Sequence, residues 1–134
     1  DEELRVTESR ISLELNDAPI RLNADPRMLL IAVQACVGTL VSLVEASGQG
    51  GAIHIATRTT EGTAHCELRQ DAYRMSADQF ARLSDLEWSD RPGGTPAGIA
   101  LAAAARISQA HGGLLDARRT EAGGCALSLA LPHL

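Results

Sequence analysis

The chain has 134 residues and a mass of 14.1 kDa, the size of one domain that buries about two thirds of the surface its unfolded form would expose. Twelve Lys and Arg against 17 Asp and Glu give a formal net charge of -5, and no basic cluster occurs, which argues against nucleic acid or an anionic membrane as the main partner. Aromatic residues make up only 2%, so there is no stacking platform for bases, and the core must be built from Leu, Ile, Val and Ala.

Cys36, Cys66 and Cys125 lie far apart and lack paired spacing. They read as small buried hydrophobes in a reducing, cytoplasmic compartment. No signal peptide is visible and the chain starts at Asp1, so the expectation is a single domain over 1–134 forming the C-terminal part of a longer protein.

Asp1-Glu2-Glu3 is a solvated start, and Ile11-Ser12-Leu13-Glu14-Leu15 then alternates as a half-buried strand does. Asn16-Asp17-Ala18-Pro19 is a turn, and Ile20-Arg21-Leu22 is expected to form a second short strand. Asp25 as N-cap and Pro26 at the first helical position open a helix that runs to about Ala46. Its near-continuous apolar character predicts burial on most sides. The uncharged stretch Met28 to Val44 reaches the lower length limit of a membrane span, about 17 residues, but Gln34, Gly38, Thr39 and Ser42 interrupt it, which favours a core helix over insertion.

Strands Ala52–Thr59 and Ala64–Arg69 flank Glu61-Gly62 and predict a hairpin. The hairpin could bring His54 and His65 together, yet no Cys or carboxylate has metal-ligand spacing with them, so the expectation is solvent-facing histidines and no metal. After Gln70-Asp71-Ala72-Tyr73-Arg74-Met75, Ser76 and Gln79 form a capping box for a helix over 76–84. The following segment carries Asp85, Glu87 and Asp90 beside Leu86 and Trp88. Trp88, the only Trp, has two readings, a partner anchor or a plug at the edge of the core.

Gly93-Gly94-Thr95-Pro96-Ala97-Gly98 then leads into a helix over about 98–110 that ends Ala110-His111-Gly112-Gly113. A glycine cluster before a helix brings backbone N–H groups and a helix N-terminus up to a phosphate. Local rules offer a ligand-free reading of the same residues, with Thr95 as N-cap and Pro96 at the first helical position. Leu114–Arg118, the turn Glu121-Ala122-Gly123-Gly124, and Cys125–Pro132 close the chain as strand, turn, strand.

The run from Gly93 to Gly113 resembles the last nucleotide-binding box of histidine-kinase ATPase domains, GGTGLGLAI followed by a helix ending AHGG. Asp25-Pro26-Arg27-Met28-Leu29 is similar to the DPxxL that opens their N box, and the ending through Leu131-Pro132 to their GGTxFxxxLP. These domains share a superfamily with DNA gyrase, Hsp90 and MutL. The resemblance implies a Bergerat-type fold: a two-layer α/β sandwich whose mixed, mainly antiparallel sheet carries helices near 26–46, 76–84 and 98–110 on one face. It further implies ATP and magnesium as ligands, Asp71 on the adenine amino group, and Gly94, Thr95 and Gly98 near the phosphates.

Where the resembled family keeps residues that touch nucleotide, this chain departs from it. Pro96 replaces a glycine and has no N–H to offer. Tyr73 and Met75 replace both glycines of DxGxG, and Thr39 stands in place of the magnesium-ligating asparagine, with Ala35 at the earlier polar position. Counting back from Gly50-Gly51 puts Ser42 and Gly38 there instead, and the conclusion is the same. The segment equivalent to the lid is short and acidic, a repulsive neighbour for a polyphosphate. Two functions follow from the resemblance. One is a degenerate domain of a two-component sensor histidine kinase or histidine phosphotransferase, acting in phosphorelay by protein contact without ATP. The other is a working ATP-magnesium kinase domain. The implied partners are a helical-hairpin phosphotransfer domain of the same protein, since no histidine here is followed by the acidic residue and proline of a phosphoacceptor, and a response regulator, with Leu86 and Trp88 as docking residues.

Overall fold

A computed structural model describes residues 2–6, 9–16, 20, 22, 24–48, 50–84 and 96–132. The elements run β1 (Glu2–Val6), β2 (Ser9–Glu14), α1 (Pro26–Ser47), β3 (Gly51–Thr60), β4 (Thr63–Gln70), α2 (Ala77–Ser84), α3 (Pro96–Ala110), β5 (Leu114–Arg119) and β6 (Cys125–Pro132). The strands form one six-stranded sheet in the order β1-β2-β3-β4-β6-β5. Among the described residues only β2 and β3 pair in parallel, because α1 carries the chain back across the sheet between them. All other neighbours are antiparallel.

Alternation along the strands decides which face is covered. Ile53 and Ile55 of β3 lie opposite Gln70 and Leu68 of β4, which in turn lie opposite Cys125 and Leu127 of β6. On this face Ile53, Leu68 and Leu127 are completely buried. The alternate positions, His54, Arg69 and Arg118, point the other way and are exposed. A sheet that is apolar on one face and polar on the other needs helices on one side only. α1 and α3 supply that cover side by side, burying Ala32, Cys36, Leu40 and Val44 from α1 and Leu101, Ala104 and Ile107 from α3 in one core with the sheet residues. Phe80 of α2 packs against the same core.

α1 starts where the sequence places it. The Asp25 carboxylate accepts hydrogen bonds from the N–H of Arg27 at 3.0 Å and of Met28 at 3.4 Å, with Pro26 in the first turn. By length and composition the 22-residue helix could cross a membrane, its most apolar 18-residue window having a mean hydropathy of 2.0. Here its four-residue stripe from Ala32 to Val44 lies on the sheet and α3, while Leu30 (56% exposed) and Ile31 (49%) face outward. The capping box of α2 also forms, Ser76 N–H donating to Gln79 Oε1 at 3.0 Å and Gln79 N–H to Ser76 Oγ at 3.2 Å.

Four expectations need correction. α1 is buried along one stripe rather than on most sides, with Met28, Leu30 and Ile31 exposed. Glu2 and Glu3 belong to an edge strand, β1, paired with β2, rather than to a solvated lead-in. A charge-rich strand is tolerated where one side of the ladder is open. Ile20 and Leu22 are not in a strand; they line an apolar cavity beside α1 instead. His54 and His65 do not meet, because the register pairs His54 with Arg69 and His65 with Arg58. His65 Nε2 is instead hydrogen-bonded with Thr60 Oγ1 at 2.9 Å.

Candidate nucleotide site

The loop from Gln70 to Ser76 connects the inner end of β4 to α2, and it is held from two sides. Gln70 is completely buried, so both ends of its amide need partners. Its Nε2 donates to the Tyr73 carbonyl at 3.0 Å, and its Oε1 accepts from the Tyr73 N–H at 2.8 Å, which locks the loop into a tight return. From the other side comes the turn between β5 and β6. Thr120 Oγ1 donates to Asp71 Oδ1 at 2.6 Å and accepts from the Gly124 N–H at 2.9 Å. The Met75 N–H donates to the Gly123 carbonyl at 2.8 Å, and Arg119 Nε donates to the Met75 carbonyl at 2.6 Å. The two segments come so close that a Cβ at Gly124 would strike the Gln70 carbonyl and Asp71.

Within this loop Met75 is 4% exposed and belongs to the central core, with Ala72 and Tyr73 packed against it. Tyr73 and Met75 therefore serve as packing, and the loop's shape is set by the Gln70–Tyr73 bonds and those to the β5–β6 turn. Asp71 commits one carboxylate oxygen to Thr120.

Thr39 of α1 is 3% exposed, and its hydroxyl donates to the Ala35 carbonyl of the preceding turn at 2.8 Å. The oxygen keeps its lone pairs, but burial in the α1 packing leaves it out of reach of a solvated cation. In the alternative register Ser42 and Gly38 are exposed, and Gly38 faces open space. Among the described residues no group of three or more His, Cys, Asp or Glu could hold a metal ion.

Gly98 lies in the first turn of α3, whose first residue is Pro96. Gly94, Thr95, Leu86 and Trp88 lie outside the described residues. At the other end of α3 the AHGG run is a structural junction. His111 Nδ1 is bonded to the Ile107 carbonyl at 2.8 Å, and its Nε2 to the backbone N–H of Asp25 at 3.1 Å. A carbonyl only accepts and an N–H only donates, so Nδ1 is the donor in the first of these bonds and Nε2 the acceptor in the second. Gly112 takes the left-handed conformation at φ 77°, and a Cβ at Gly113 would strike the Ala130 carbonyl.

The cysteines are unreactive by environment. Burial, reinforced by the charges Cys66 and Cys125 would carry, pushes Cys36 up to about 12, and burial pushes Cys66 and Cys125 up to about 11. All three are free thiols, and thiols this hard to ionise are not nucleophiles at neutral pH.

Sequence reasoning picked out Asp71 but missed Gln70, Thr120 and His111, which fix its surroundings and tie α1 to α3. One signal was available. Gln70 continues the inward parity of Cys66 and Leu68, so a buried glutamine with two obligatory partners was to be expected there.

No protein-family model matches the sequence, and no curated protein does. Solved structures match closely in shape. The mycobacterial sensor histidine kinase MprB superposes with a TM-score of 0.70 at 18% identity, over 92% of this chain and 82% of that one. Full-length ShkA in complex with AMPPNP gives 0.72 at 20% identity over 93% of this chain, which spans only 26% of ShkA. The ATP-binding domain of PrrB from Mycobacterium tuberculosis gives 0.64 at 17% identity, over 92% and 81%. The chain thus has the fold of histidine-kinase catalytic domains.

Proposed function

We propose that this chain, built on the fold of histidine-kinase ATP-binding domains, is a degenerate signalling domain of a two-component sensor kinase or histidine phosphotransferase. It acts in the cytoplasm through protein contact and binds ATP weakly or not at all. The observation that carries this reading is the loop 70–75, where Tyr73 and Met75 pack on the core at the positions of the glycines that, in the resembled family, lie against the adenine ring. Thr39, buried where the resembled family keeps its magnesium-ligating asparagine, supports it from the magnesium side.

Each missing contact costs about 1–3 kcal/mol, so two or three together lower affinity by a large factor. Calorimetric titration with ATP and Mg²⁺ is expected to show no micromolar binding, and a micromolar dissociation constant would overturn the proposal. The double variant Pro96→Gly with Tyr73→Gly restores a backbone donor and opens the loop, so it is expected to bind more tightly than the parent.

The alternative is a working ATP-magnesium kinase domain that phosphorylates a histidine on a helical hairpin. It is favoured by Asp71 and Gly98 and by the AMPPNP bound to ShkA, and the same titration separates the two.

In the contact reading the partners are a helical-hairpin phosphotransfer domain and a response regulator, docked on Leu86, Trp88 and the neighbouring carboxylates, with Trp88 as the anchor. Trp88→Ala is expected to weaken binding of the hairpin domain at least about tenfold. Unchanged affinity with an unchanged melting temperature removes the reason for placing the interface there.

A further inference from the structure

At the end of the sheet remote from loop 70–75, a cavity of about 140 Å³ lies between the N-terminal half of α1 and the strands. Its walls are Leu29 and Val33 of α1, Ile20 and Leu22 of the segment before it, and Leu129 and Leu131 of β6, with Ala64 and Cys66 on the sheet side. Two polar side chains reach it, and both have partners elsewhere. Thr57 Oγ1 accepts from the Asn16 N–H at 2.9 Å, and His65 Nε2 is bonded with Thr60 at 2.9 Å. The Cys66 thiol stays neutral, its burial opposing ionisation.

The cavity is partly open to solvent and its walls are almost wholly apolar, so a water inside it finds few of the two to four polar partners that it needs, and an apolar molecule can displace it. We propose that this cavity is a binding site for a small uncharged apolar molecule of about the size of one aromatic ring. The volume sets the size limit, and the predominantly apolar walls disfavour ions, since a charge placed against them loses part of its hydration. The proposal is independent of the signalling function above and stands or falls separately from it.

The test is a titration of the whole 134-residue chain with benzene, followed by methyl NMR and thermal melting. The expected result is a saturable shift concentrated on the methyl groups of Leu29, Val33, Leu129 and Leu131, a melting temperature that rises with benzene concentration, and benzoate binding at least about tenfold weaker. Val33→Phe fills the space from α1, melts cooperatively and no longer shifts. If that variant fails to melt cooperatively, Ala64→Leu, which fills it from the sheet side, decides in its place. The proposal is overturned by the absence of a saturable shift, by equal shifts at the exposed Leu30 and Leu114, by benzoate binding as well as benzene, or by a folded filling variant that still binds.

Discussion

Gly124 sits where the turn before β6 passes against the Gln70 carbonyl and Asp71, and there is no room for a side chain between them. Gly124→Ala must push the two segments apart, which strains the Thr120–Asp71 bond and the Met75–Gly123 bond together. A loss of about 1–3 kcal/mol is expected, read as a lower urea midpoint with an unchanged slope. At this scale the sequence was partly legible. Asp71 stands out as an acidic residue after a strand, and Gly123-Gly124 as a turn. Thr120 does not stand out, and His111 stands out only as part of the AHGG run and not for its bond, because their roles rest on partners 49 and 86 positions away. No local pattern carries such pairings.

Helix starts were the most legible elements, since a cap is a purely local arrangement. Asp25-Pro26 and Ser76 with Gln79 both form the predicted bonds. Asp25→Ala removes the carboxylate that accepts from Arg27 and Met28, and the expected cost is about 1 kcal/mol, seen as a lower melting temperature. Asp25→Ser, which keeps an acceptor, is expected to recover most of it. The strands at the N-terminal end were less legible. β1 carries Glu2, Glu3 and Arg5, whose charges mask its pairing, and Ile20-Arg21-Leu22 has strand-like alternation, yet Ile20 and Leu22 end against α1. Alternation reports that a face is apolar and does not say what covers it.

For the molecule as a whole, three thiols packed in or against one core make stability depend on alkaline pH. Their ordinary value is 9.0, and folding raises them to about 12, 11 and 11. The folded state thus holds protons that the unfolded state releases, so the contribution is fully present below pH 9 and is lost as pH rises through 11 and 12. Melting temperatures in the presence of a reductant are expected to fall from about pH 9 upward. Cys125→Ala, less stable at neutral pH because of the space it leaves, is expected to show a shallower fall. An equally steep fall in that variant would assign the pH dependence to other groups.

The position of β6 in the sheet also bears on how the chain is made. β6 is last in sequence, yet it lies between β4 and β5, and Thr63 of β4 waits for Pro132 as its partner. During vectorial synthesis β3 and β4 can close as a hairpin at once, but the β4 edge stays unpaired until β6, with Leu127, Leu129 and Leu131, has left the ribosome. Open edges and apolar faces are what chaperones bind and what aggregates share. The sheet is therefore completed only when β6 pairs with β4 on one side and β5 on the other, so the order of synthesis leaves its centre to be filled after both flanking strands exist.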